Sequence, residues 1–86
     1  MKILELENEC NIKSHSTGKV IIDFYASWCA PCKNLSKAFS SLSKEETFND
    51  ISVVKVNIEN CQSLAENYQI RSLPTIIFTD SGKILK

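Results

Sequence analysis

Two cysteines three residues apart, Cys29 and Cys32, are the residues of this chain most able to do chemistry. They lie in Trp28-Cys29-Ala30-Pro31-Cys32-Lys33, just after a run of β-branched and aromatic residues. That spacing across a helix start can bring two sulfurs within disulfide distance. Unpaired N–H groups and the helix dipole at that terminus favour a thiolate on Cys29, the attacking form. Cys32, one turn in, is expected to be more shielded, and Pro31 suits a first helical turn because its missing N–H costs nothing there. The chemistry implied is thiol–disulfide exchange. Other readings are half of a zinc site or two structural cysteines. A closed zinc site wants four ligands, and the remaining candidates are His15 and the distant Cys10 and Cys61. Those two cysteines are read as bystanders, Cys10 and His15 in a polar connection and Cys61 as a semi-buried small residue.

The elements that must position the pair are legible in outline. Val20 to Tyr25 is nearly all apolar, the pattern of a strand buried on both faces, with Asp23 its only charge. A carboxylate there is expected to have a raised pKa suited to proton transfer; the other reading is an edge-strand charge facing water. Leu35, Ala38, Phe39 and Leu42 form one helical stripe, with Lys33, Asn34, Lys37 and Ser41 opposite. Ile3 to Leu6, Val53 to Ile58 and Pro74 to Thr79 read as further strands. Glu7 to Gly18 could hold one short helix, and Asn60 is placed to cap another with Leu64, Ala65 and Tyr68 inward. Asp80-Ser81-Gly82 is a turn, and Lys83 to Lys86 begins a returning strand. Alternating strands and helices predict a single α/β domain over residues 1–86, with parallel pairs early and a hairpin last.

Composition narrows the function classes. The 86 residues carry 10 basic and 10 acidic side chains, so no basic surface is expected to hold nucleic acid. No apolar run is long enough to span a bilayer. Met1 to Glu9 alternates apolar and acidic residues without the pattern of a signal peptide, so a cytoplasmic location is expected.

These residues resemble the thioredoxin family. Val20 to Lys33 looks like its active-site segment, Tyr68-Gln69-Ile70-Arg71-Ser72-Leu73-Pro74-Thr75 like its cis-proline loop, and Val56-Asn57-Ile58-Glu59 like the approach to the next helix. Gly82 matches the glycine of the last hairpin. The resemblance implies a thioredoxin-like fold, a central mixed sheet flanked by helices. It implies a protein-disulfide reductase in which Cys29 attacks a substrate disulfide and Cys32 resolves the mixed disulfide. Asp23 would accept the proton of Cys32 through water, with Lys55 beside it. Trp28, Ala30, Pro31, Leu73, cis Pro74 and Thr75 would form the substrate surface. Disulfide-containing proteins would be the substrates and a separate reductase the electron source, with no metal or organic cofactor. A dedicated donor to one partner enzyme and a non-catalytic binding module are the alternatives.

Departures from the family pattern are also visible. Ala30 replaces a glycine, Lys37 a kinking proline, and Ser72 a residue that is often glycine. Cys61 opens the third helix, where some members carry extra cysteines, and is a candidate regulatory thiol. The sequence stops at Ile84-Leu85-Lys86, where members continue into a full strand and a closing helix. The expectation is a monomer with either an exposed apolar strip beside the Cys32–Lys44 helix or a partner covering it.

Overall fold

The computed structural model describes residues 1–6, 10–15 and 17–85. Glu7 to Glu9 and Ser16 of the polar stretch, and Lys86 at the end of the returning strand, lie outside the described residues. Five strands form one mixed sheet: β1 (Lys2–Leu6), β2 (Lys19–Tyr25), β3 (Ile51–Asn57), β4 (Thr75–Asp80) and β5 (Lys83–Ile84), in the spatial order β1-β3-β2-β4-β5. β3 runs parallel to both β1 and β2, whereas β4 is antiparallel to β2 and to β5. The early parallel pairs and the closing hairpin are those expected from the order of elements. The hairpin turn places Ser81 and Gly82 at φ values of 53° and 84°, a left-handed pair that matches the twist of the two strands.

β2 lies in the middle because its side chains suit burial on both faces. Val20, Ile22 and Phe24 point to one side and are buried with Leu6, Val54, Val56, Cys61 and Leu64. Helix α2 (Gln62–Asn67) and a 3-10 turn (Ile12–His15) cover that side, with Ile12, Tyr68 and Ile70 packed against its core. The ring of Tyr68 meets that of Phe24 at 5.4 Å between centroids, tilted by 48°. The register places Ile21, Asp23 and Tyr25 on the other side, with Val53, Lys55, Ile76 and Phe78. Helix α1 (Ala30–Leu42) is tied to this second face by a hydrogen bond from Lys55 Nζ to Ser36 Oγ at 2.8 Å.

Three local expectations are corrected. Ala38 is exposed, so the buried stripe of α1 is narrower than its spacing predicts, with Phe39 its buried centre. Asn60 does not cap α2; Cys61 holds that position. Asn57 explains the shift: its side-chain oxygen accepts from Glu59 N at 2.9 Å and its carbonyl from Asn60 N at 3.1 Å, so the turn uses up Asn60 and the helix starts later. Where a short helix is expected between Glu7 and Gly18, the described residues form the four-residue 3-10 turn Ile12–His15. Beside α1, Phe78 is 48% and Leu85 62% exposed, and Leu85 N donates to Phe78 O at 2.8 Å.

Candidate active site

The site forms where β2 ends and α1 begins. Cys29 N donates to Ala26 O at 3.2 Å, closing the turn after β2. Cys29 then caps α1 with extended backbone angles, and its sulfur accepts a hydrogen bond from Cys32 N at 3.2 Å. A cysteine sulfur thus occupies the place usually taken by a serine or aspartate oxygen. Pro31 lies in the first turn, as its chemistry predicts. Cys29 and Cys32 are bonded, with Cα atoms 5.3 Å apart. Both are buried in a small cluster with Ala26, against which Tyr25, Ile58 and Leu73 pack. The peptide between Leu73 and Pro74 is cis. Leu73 packs against the cysteine pair from a loop far away in sequence. Thr75 anchors that loop by donating from its hydroxyl to the Ser72 carbonyl.

Trp28 is 69% exposed, which excludes a core role for its ring. Ala30 and Pro31 are exposed beside it, while Leu73, Pro74 and Thr75 are half-buried. Leu73 packs on the buried disulfide, and Trp28, Ala30 and Pro31 adjoin it along the chain.

Asp23 is 1% exposed on the helix side of the central strand, which excludes a solvent-facing edge position. Among the described residues, neither carboxylate oxygen has a hydrogen-bond partner. Its pKa is raised to about 6, first by burial and to a lesser degree by the charge of Glu5, while Lys55 pulls the other way. Lys55 is the register partner of Asp23 on β3. Its ammonium is engaged elsewhere, at Ser36 and 4.7 Å from the centre of the Tyr25 ring. Cys32 lines an open cavity of about 280 Å³ together with Tyr25, Ser36 and Lys55. Lys55 and the inner sulfur thus share one wall of that cavity, and Asp23 is not among its lining residues.

Sequence reasoning missed three groups. Ser36 lies one turn beyond Cys32, and nothing in its spacing marked it as a partner for Lys55. Ser27 donates to Glu59 Oε1 from both its backbone N, at 3.0 Å, and its hydroxyl, at 2.7 Å. These bonds hold the Glu59 carboxyl below its ordinary range. They fasten the active-site turn to the loop after β3, helped by Ile58 N donating to Tyr25 O at 2.9 Å. The third miss is the pairing of Cys10 with Cys61 in a disulfide, Cα atoms 5.5 Å apart. Neither is a bystander, and Cys61, only 1% exposed, is not a free thiol here. Among the described residues, no three His, Cys, Asp or Glu side chains gather where a metal ion could be held.

The Thioredoxin family profile matches residues 3–86. The chain belongs to the thioredoxin family. It is 41% identical over 66 residues to thioredoxin of Mycoplasmoides gallisepticum, an alignment covering 77% of this chain and 64% of that protein. It is 31% identical over 86 residues to thioredoxin-1 of Caenorhabditis elegans, covering all of this chain and 73% of the relative. The crystal structure of Schistosoma mansoni thioredoxin superposes with a TM-score of 0.84 at 31% identity, covering 99% of this chain and 80% of that one. The thioredoxin-like fold, a mixed sheet with helices on both sides, is therefore established. The chain spans about two thirds of the length of several curated relatives, 57% to 65% for three of them.

Proposed function

We propose that this thioredoxin-family chain is a thiol–disulfide oxidoreductase that reduces protein disulfides. The observation that carries this reading is the Cys29 sulfur at the N-terminus of α1, accepting the Cys32 N–H. That donor and the helix terminus stabilise a thiolate on Cys29 once the pair is reduced. The Cys29 thiolate attacks one sulfur of a substrate disulfide, forming a mixed disulfide and expelling the other substrate sulfur as a thiolate, which takes up a proton. Cys32 then loses its proton, ultimately to the Asp23 carboxylate through water, and attacks the Cys29 sulfur. The Cys29–Cys32 disulfide forms and the second substrate sulfur leaves as a thiolate, which takes up a proton in turn. Two electrons pass to the substrate, and a separate dithiol reductase restores them.

A carboxyl with a pKa of about 6 is suited to that proton, since it is mostly ionised at neutral pH yet accepts a proton readily. Trp28, Ala30, Pro31 and the Leu73-Pro74-Thr75 segment would receive an extended stretch of the substrate protein. Lys55 would tune Asp23 from the neighbouring strand. The reductase role fits a reducing compartment, and we place the protein in the cytoplasm. Among the described residues, no helix is long and apolar enough to cross a membrane. The test is turbidity from insulin reduced by dithiothreitol: the protein should accelerate it, and Cys29→Ser should abolish the acceleration. No acceleration by the wild type would overturn the reading.

A further inference from the structure

Cys10 and Cys61 take no part in the mechanism above, yet the fold brings them together. β1 and β3 are parallel, with Leu6 opposite Val56. Cys10 and Cys61 follow those two residues by four and five positions, so both lie beyond the same end of the sheet. Cys61 N donates to Asn57 O at 3.0 Å, which fixes the cysteine at the start of α2. Its side chain is buried among Leu6, Val54 and Leu64, and half-buried Cys10 packs on the same core. The Cα separation of 5.5 Å is an ordinary one for a disulfide.

The sulfurs of the two pairs have different neighbours. Cys29 Sγ faces a backbone N–H, which stabilises a thiolate when the bond opens. Cys10 Sγ instead lies 3.6 Å from the carbonyl oxygen of Asn60. Cys61 caps α2 but its sulfur receives no hydrogen bond, and apolar side chains surround it. A carbonyl dipole and a dry core both disfavour a thiolate, so each sulfur of this pair is a poor leaving group.

We propose that Cys10–Cys61 is a second, structural disulfide that stays closed while Cys29–Cys32 opens and closes. The chain then has one exchanging pair and one staple joining the segment after β1 to the start of α2. The bond forms by two exchanges with a small disulfide such as glutathione disulfide. The half-buried Cys10 thiolate attacks it, giving a mixed disulfide and one glutathione thiolate. The Cys61 thiolate then attacks the Cys10 sulfur and releases the second glutathione. Two electrons pass from the cysteines to glutathione disulfide, and the two cysteine protons end on the two glutathione thiols. Disulfides that survive a reducing compartment are uncommon, and poor leaving groups together with burial of Cys61 are what protect this one.

The test is differential alkylation of the full chain, equilibrated in a series of increasingly reducing glutathione buffers and acid-quenched. As Cys29 and Cys32 become labelled, whole-protein mass should show two labels, and peptide mapping should recover Cys10 linked to Cys61. Four labels in those buffers, earlier labelling of Cys10 and Cys61, or linkage of Cys10 to another cysteine would each overturn the proposal. In the Cys29→Ser/Cys32→Ser double variant the linked peptide should persist through the same buffers, and its loss there would count equally against a staple. Neither readout depends on insulin reduction, so this proposal and the reductase reading fail separately.

Discussion

Neutralising Asp23 should stabilise the fold, and the gain should grow with pH. The carboxyl is 1% exposed and neither oxygen has a hydrogen-bond partner among the described residues. Burial holds its pKa at about 6, with Glu5 adding to the rise and Lys55 opposing it, against an ordinary value of 3.8. Below the ordinary value the group is protonated in both folded and unfolded chains, so burial carries no ionisation penalty. As the pH climbs past it, the unfolded chain releases its proton first and the folded state loses ground. Above about pH 6 both states are ionised and the whole penalty applies. The interval corresponds to about 3 kcal/mol, a large share of the stability of so small a domain. Asp23→Asn preserves the shape and removes the titration. The stability of the variant relative to wild type should therefore rise by about 2–3 kcal/mol between about pH 4 and about pH 7, then level off. Urea denaturation of both oxidised proteins at matched ionic strength reads this directly. Only the pH-dependent part is compared, so any fixed cost of burying an unpaired amide cancels. A difference that stays flat across the interval, or shrinks as the pH rises, would refute the account of Asp23 as a desolvated acid.

Three further outcomes are expected. Cys61→Ala opens a bridge between residues 51 apart in sequence; loop-closure entropy predicts a loss of about 4 kcal/mol, read as a lower urea midpoint without reductant, and unchanged stability would show that the bridge constrains little. Trp28→Ala removes a ring that is 69% exposed, so stability should move by no more than about 0.5 kcal/mol while the KM for a protein substrate rises; unchanged kinetics would remove Trp28 from the docking surface. Ser36→Ala frees Lys55 from its 2.8 Å bond to turn toward Asp23, and NMR titration should then place that carboxyl's midpoint below about 6; an unmoved midpoint would mean that the Tyr25 ring alone holds the lysine.

What could be read in advance is what local chemistry decides. A run as apolar as Val20 to Tyr25 reads as a strand buried on both faces, the one charge in it stands out for that reason, and the sheet order places it centrally. Cys29 and Cys32 lie within one helical turn of each other, so their pairing needs nothing from the rest of the chain. The surface place of Trp28 is set by the turn that carries its ring outward, which the residue type alone does not decide.

What stayed hidden depends on contacts between distant segments. Ser36 matters because parallel pairing sets Lys55 beside Asp23 and α1 crosses above them, so its partner lies 19 residues away. Ser27 and Glu59 meet because β2 and β3 end together at Tyr25 and Asn57, which aligns the turns that follow. The same reasoning reaches Cys10 and Cys61. Their separation of 51 residues carries no pairing signal of its own. It acquires one only when the short strand Lys2–Leu6 is placed at the sheet edge, parallel to β3. All of these contacts gather at the end of the sheet toward which the parallel strands point. There the chain leaves each strand in a loop, and the loops must fasten to one another to hold a reactive sulfur in place. The second disulfide fastens one such junction, the Ser27–Glu59 bonds another, and the Leu73 contact with the cysteine cluster a third. The redox pair could be found from six consecutive residues, but the fastenings that position it are a property of the sheet.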